Sequence, residues 1–398
     1  MKARNILFGI AAGFAAGYAA YRAYEAVTMP APQPDGQADA SRYGRIRRAL
    51  MLSGIARSLA STAAAAYGPL GDAMEASVRG LPVWLRAPVF ALEGSVLEGG
   101  LNALTDYVEG YALERRYGMS EQPLASWISD KCKEEALGTG VTVLLTAGFA
   151  WIVRRFPQAW AMLASAGTLP LLVAANVVVP VFVMPMFNKY TPLEGPLEAR
   201  LRALAARYGV GNAQILRMDM SKQTKKANAF VTGIGGTHRI VVGDTLLEHF
   251  TDDEIEFVVA HELGHYVSGD TWRMVAAGQV VSTIVLMGSF ETIRDHSPES
   301  SARATTLAQI AFWSTILTQM LRPMLAAFSR SREWAADHFA LQATGAPAVG
   351  ASAFRRLRDQ NLAEDEQPWW FEMLFATHPS LRRRIRELDR ATLRGVAR

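Results

Sequence analysis

The chain has 398 residues, half of them hydrophobic and a fifth charged, with a net charge of +4 and a pI near 9.2. That length has room for two units of ordinary domain size. A single cysteine, Cys132, excludes an intrachain disulfide, and a basic balance without an aromatic-and-basic recognition pattern points to anionic lipid headgroups rather than nucleic acid.

In chain order, Met1-Lys2-Ala3-Arg4-Asn5 precedes an apolar, Ala/Gly-rich run to about Ala20. A cleaved signal peptide shares that layout. Tyr21-Arg22-Ala23-Tyr24 is a poor cleavage context, so an uncleaved anchor with interfacial tyrosines is expected. Residues 29–44, carrying Pro30, Pro32 and Pro34, are expected to be a linker. Two weakly apolar stretches follow, 52–79 with Arg57 and Asp72, and 83–110 with Arg86, Glu93, Glu98 and Asp106. Either they span the membrane with their acids facing a polar cavity or partner, or they lie on the bilayer as amphipathic helices.

Residues 137–153 and 159–187 are convincing spans. The first stops at Arg154-Arg155, and the second exceeds the roughly 20 residues a bilayer needs. Two further spans are expected at about 272–293 and 304–328. Between 187 and 272 the pattern turns polar and predicts a helix at 196–208, a strand at 213–219, a hairpin at 228–242 and a helix from 252. After 328 the chain reads as polar helix, so one unit is split by a pair of membrane helices.

All seven histidines (238, 249, 261, 265, 296, 338 and 378) fall in the second half. His261-Glu262-Leu263-Gly264-His265 is an H-E-x-x-H sequence, and Thr251 with Glu254 forms a capping box that starts its helix. Spacing of i and i+4 puts both imidazoles on one face, where they can grip one zinc ion. Glu262 is then placed to take a proton from the attacking water. A catalytic zinc needs a third protein ligand from another element. Glu333 could supply it, and Asp337, one turn on, could accept a hydrogen bond from a ligand imidazole. By itself an E-x-x-x-D pair is commonplace on a solvated helix face, and beside Arg330 and Arg332 it reads equally as a surface ion-pair network. His378, before Pro379, is either a turn residue or a donor to an oxyanion or to substrate. His238, His249, His296 and His338 lack partnered spacing and read as structural or exposed.

At these residues the chain resembles the zinc metallopeptidases that include the type I CAAX prenyl proteases and the HtpX heat-shock proteases. The resemblance extends to Ser221-Lys222-Gln223-Thr224, Asn228-Ala229-Phe230, Arg239 to Leu247, and Thr377-His378-Pro379. Upstream it takes in Tyr107 to Gly118 and Pro185 to Leu193, which favours the prenyl-protease branch. Ser380 stands where that family often has a second proline, and the Ala-rich first third departs from the pattern.

The resemblance implies a mainly α, polytopic membrane fold: a ring of seven helices around a chamber, with a split α+β zincin-type peptidase domain. It further implies one zinc per chain on His261, His265 and Glu333, and a supporting carboxylate in Asp337. Glu262 and His378 would be catalytic, and Asn228, Ala229 and Phe230 would form a substrate strand. The expected organisation is therefore an anchor and linker (1–45), a membrane domain (46–190) and a metallopeptidase domain (191–398) with a membrane insertion at about 272–328. Expected partners are the bilayer and a protein or peptide substrate, membrane-associated and either prenylated or misfolded. The expected site is a bacterial inner membrane with catalysis facing the cytoplasm. Rivals from other classes are a catalytically silent scaffold, which has no need of Glu262, and a metal transporter, whose ligands would lie within the spans.

Overall fold

The structure, a computed structural model, describes residues 36–233, 238–293, 297–301 and 303–396. The expected anchor, the hairpin turn at 234–236 and His296 lie outside the described residues.

The first helix, α1 (Gly36–Tyr67), corrects the expected linker, which is helical from Gly36 on. No proline follows Pro34 there, and Ala40, Tyr43, Ile46 and Leu50 recur at helical spacing. Tyr43, Ile46 and Leu50 pack against Val108, Leu113 and Tyr117. Burial of that stripe holds the helix. The stretch 52–79 is two elements rather than one, because Gly68 is extended and Pro69 opens α2 (Pro69–Arg79). Next come α3 (Val83–Tyr107), continued through a π turn at Val108–Ala112 into Leu113–Arg116, then α4 (Leu124–Arg155) and α5 (Trp160–Val178).

The acids of α3 have polar surroundings. Glu93 accepts from Ser77 Oγ at 2.8 Å, Asp106 pairs with Lys131 at 3.0 Å, and Glu98 lines an interhelical cavity with Ser61, Thr62 and Thr142. Such partners are what make carboxylates tolerable among apolar helices.

The second half begins with β1 (Tyr190–Pro192), α6 (Pro196–Arg207), β2 (Gln214–Met218), β3 (Ala229–Thr232) and β4 (Arg239–Gly243). These strands form one sheet in the order β1-β2-β4-β3, with β2 and β4 parallel and the outer pairs antiparallel. A short α7 (Asp244–His249) leads to α8 (Asp252–Val267), α9 (Asp270–Thr292) and α10 (Ala304–Thr344). Beyond them lie α11 (Pro347–Gln360), α12 (Trp369–Leu374) and α13 (Leu381–Val396).

Among the described residues, four segments are long and apolar enough to cross a membrane: Ala38–Tyr67, Leu124–Arg155, Trp160–Met186 and Asp270–Thr292. The stretch expected to span at 304–328 is not one of them. Thr306, Gln309, Ser314, Thr315 and Gln319 lower its hydropathy. It is also no separate element, because α10 runs 41 residues without a break at 328, about 60 Å at 1.5 Å per residue. One continuous helix, with Pro323 inside it, therefore joins the expected span to the acids Glu333 and Asp337.

The core of the second half packs α6, α8 and α11 around the sheet through Leu201, Leu204, Ile240, Val242, Ile255 and Phe257. Helix α8 is buried over most of its circumference, the behaviour of a central helix rather than a surface one.

Candidate metal centre

The site begins with how α8 is held. Thr251 Oγ1 accepts from the Glu254 amide at 3.3 Å, and Glu254 Oε2 accepts from the Thr251 amide at 2.9 Å, completing the expected capping box. Ile255, Phe257, Val259 and Leu263 are buried, so the helix has one rotational setting, and it turns His261, Glu262 and His265 into a cleft. Gly264 sets how closely α10 approaches: a Cβ there would stand 3.1 Å from the Ala336 Cα and the Phe339 Cβ. At Gly269 (φ 67°) the chain takes the left-handed turn glycine favours. That turn folds α9 back and sets Asp270 beside His265.

The structure brings His261, His265 and Glu333 together. His261 Nε2 lies 3.2 Å from His265 Nε2 and 3.4 Å from Glu333 Oε2, and His265 Nε2 lies 3.4 Å from Glu333 Oε1. Both Nδ1 atoms face carboxylates at 2.9 Å, His261 on Asp337 and His265 on Asp270. Donation from each Nδ1–H leaves both Nε2 lone pairs pointing at one another and at a carboxylate, an arrangement that a metal ion, or a proton on one Nε2, relieves. Zinc bonds of about 2.0–2.1 Å in tetrahedral geometry put neighbouring donors about 3.3–3.4 Å apart, close to the observed edges. Buried Glu333 Oε2 has only long contacts, with His261 Nε2 at 3.4 Å and Arg384 Nη1 at 3.5 Å. On these observations the residues fit a zinc ion.

Burial disfavours a charged His261, but the Asp337 and Glu333 carboxylates outweigh that and push its pKa up to about 9, so a proton and a metal ion compete for its Nε2. Burial likewise opposes ionisation of Glu333, yet the facing imidazoles hold its carboxyl well below the usual range. For Asp337 burial is outweighed first by the Arg384 charge, and its pKa falls. Burial raises the Glu262 carboxyl, with the nearby histidines only partly opposing it.

Glu333 and Asp337 are each 5 % exposed, which removes the surface ion-pair reading. The arginines beside them turn elsewhere: Arg330 donates to the Glu372 and Ala376 carbonyls, and Arg332 to Asp270. His378 Nε2 lies 3.3 Å from Glu333 Oε1, so this histidine is at the site rather than in a remote turn. Asn228, Ala229, Phe230, Glu262 and His378 line the same cleft of about 570 Å³ as the metal-site residues. Of the remaining histidines, His238 pairs with the Tyr266 hydroxyl at 2.8 Å, His249 Nδ1 faces the Thr245 carbonyl at 3.0 Å, and His338 is exposed.

Sequence reasoning missed two residues. Asp270 carried a faint signal, an acid just after the Ser268-Gly269 helix stop. Arg384 carried none among the seven arginines of the last thirty residues. It is 6 % exposed, 4.2 Å above the Phe354 ring, and donates twice to Asp337.

Residues 193–392 match the model of peptidase family M48, and residues 43–189 match that of the CAAX prenyl protease N-terminal domain with five membrane helices. The chain belongs to peptidase family M48. Within that family it lies in the prenyl-protease branch and is a multi-pass membrane metalloendopeptidase. An uncharacterized metalloprotease of Bacillus subtilis, YhfN, is 27% identical over 295 residues, 71% of this chain and 68% of the relative. CAAX prenyl protease 1 of Saccharomyces cerevisiae is 27% identical over 321 residues, 74% of this chain and 70% of the relative. The crystal structure of S. mikatae Ste24p superposes with a TM-score of 0.77 at 22% identity, covering 96% of this chain and 97% of that one. That likeness establishes the shared mainly α membrane fold.

Proposed function

We propose that this M48 peptidase uses one zinc ion, held by His261, His265 and Glu333, to hydrolyse peptide bonds of membrane-associated proteins. The observation that carries this reading is the set of three donors at tetrahedral spacing with both imidazole Nδ1 atoms held by carboxylates. When bound, the metal would polarise the scissile carbonyl and ease deprotonation of the attacking water. Glu262 takes the water's proton and later hands it to the leaving amine. Burial, by raising its pKa, suits a carboxylate that must hold a proton between those steps. His378 donates from Nε2 to the developing oxyanion. Asp337 and Asp270 keep the two imidazoles in the Nδ1–H tautomer.

Substrate runs antiparallel along the open side of β3, adding a strand at the sheet edge. Yeast CAAX prenyl protease 1 is named for a prenylated class of substrate. For this chain, the Ala- and Arg-rich composition favours a bacterial inner membrane, and misfolded membrane proteins become the leading substrates. The test is zinc content together with cleavage of casein by the purified protein. A protein that binds zinc and leaves casein and membrane-protein fragments uncut would overturn the assignment.

A further inference from the structure

The edge strand β3 has a stop built into one end. Gly243 N donates to Asn228 O at 2.9 Å, and β3 pairs with β4 as Ala229↔Val242, Phe230↔Val241 and Val231↔Ile240. In an antiparallel ladder, hydrogen-bonded and non-bonded pairs alternate. Asn228 and Phe230 therefore turn their backbone groups towards β4, while Ala227, Ala229 and Val231 turn theirs to the open edge. The first of those three positions is already taken. Asn361 Oδ1 accepts from the Ala227 amide at 2.7 Å, and Asn361 Nδ2 donates to the Ala227 carbonyl at 3.2 Å. One side-chain amide thus imitates the next strand over a single residue.

Asn361 is not a loose loop residue that happens to be near. It follows the end of α11, and Leu362 after it has φ 49°, a left-handed conformation in which a leucine is strained. Leu362 packs on the buried cluster of Tyr43, Ile46 and Leu50 in α1, and Glu364 is gripped by Arg48 of the same helix. Lys226, one residue before the capped alanine, is bound by Glu114 and the Tyr43 hydroxyl, both at 2.8 Å. The membrane half therefore clamps both the loop that carries Asn361 and the chain entering β3.

We infer that Asn361 is a specificity-determining residue that closes the substrate lane at Ala227, leaving Ala229 and Val231 as its open rungs. A substrate antiparallel to β3 meets this stop on its C-terminal side. The stop therefore limits how many residues beyond the scissile bond can stay paired. This rests on the peptidase reading above, since a lane has meaning only if a strand is bound there.

The experiment uses the full-length zinc-loaded protein in detergent and one peptide series, identical except for one to six residues added at the C-terminus. Wild type is expected to show kcat/KM rising with each added residue and levelling off at a definite length. In Asn361→Ala the limit moves outward, and peptides two residues past it gain about tenfold, the size of two added backbone hydrogen bonds. Asn361→Asp, which keeps an acceptor for the Ala227 amide, should hold the limit near its wild-type place. Zinc content and melting temperature, read alongside, separate a moved limit from a damaged fold. An unchanged limit in Asn361→Ala with zinc retained would overturn the role of Asn361 alone. A limit that moves on the N-terminal side instead would overturn the assigned direction. Failure of wild type to cleave any member would remove the peptidase reading, and this inference with it.

Discussion

Arg384 and Asp337 form a buried pair in which guanidinium Nε and Nη2 donate to the two oxygens of one carboxylate, at 2.8 and 2.6 Å. The same carboxylate receives His261 Nδ1 at 2.9 Å, so the arginine acts on the metal centre through an acid it neutralises. Arg384→Met is expected to cost about 3–5 kcal/mol, because it leaves a buried carboxylate unpaired, and to weaken zinc binding about 10–100-fold. Asp337→Leu combined with Arg384→Met should recover much of the stability and little of the affinity, since His261 still lacks its acceptor. Melting of the metal-free protein and chelator competition would read the two effects separately. Wild-type zinc affinity in Arg384→Met would show the pair to be structural only.

Glu262 lines the cleft but stands outside the three-atom donor set. Glu262→Gln should therefore abolish cleavage while zinc stays near one per chain. Glu333→Ala and His265→Ala should each lose most of the metal, because two protein ligands leave a zinc site under-coordinated. Comparable metal loss in all three variants would mean that Glu262 is a ligand and that the base lies elsewhere.

Gly264 tests whether helix spacing sets the ligand geometry. The space where its Cβ would stand is bounded at 3.1 Å by the Ala336 backbone as well as by the Phe339 side chain, and backbone cannot swing aside. Gly264→Val should cost about 1–3 kcal/mol by overpacking and, by pushing α10 from α8, reduce zinc affinity beyond the loss of stability. Gly264→Ala should be milder in both. Full zinc affinity in the valine variant would show that the ligands tolerate a wider helix separation.

Much of this arrangement was legible because it is local. The H-E-x-x-H pair and its capping box sit within one helix, where spacing alone fixes the face. Glu333 and Asp337 were visible as residues one turn apart, but their burial was not, because burial depends on α10 packing on α8 through Gly264. Arg384 and Asn361 act across 47 and 134 residues of sequence, on Asp337 and Ala227 respectively, and no periodicity reports such contacts. The linker over 29–44 was misread because the prolines drew attention from the apolar stripe that begins at Ala40. The boundary expected at 328 follows a change in polarity, which does not itself end a helix, and α10 runs on past Pro323 and 328 alike.

Membrane orientation can be tested with a native residue. Cys132 is exposed and lies near the start of α4, two residues from Asp130. Asp130 accepts from Gln223 Nε2 at 3.0 Å, which places this end of α4 against the peptidase half. If that half faces the cytoplasm, as Arg115, Arg116, Lys131 and Lys133 favour, a membrane-impermeant thiol reagent should label Cys132 only after cells are permeabilised. Labelling in intact cells would reverse the orientation.

The backbone alternation in β3 gives the sharpest test of how substrate is held. Phe230 turns its amide to β4 and Ala229 turns its amide to the open edge, by the register that begins at Asn228 and Gly243. Proline removes a donor and fixes φ, so its damage depends on which way the lost amide points. Ala229→Pro should cut cleavage severely while zinc and melting temperature stay near wild type. Phe230→Pro should break the β3–β4 ladder, lower stability by about 3 kcal/mol or more and release metal with the fold. Phe230→Leu keeps both the donor and the extended backbone and should be mild. If Ala229→Pro unfolds the protein and Phe230→Pro does not, the register is inverted. If Ala229→Pro is folded and fully active, substrate does not add to this edge, and the cleft must hold it by side chains instead.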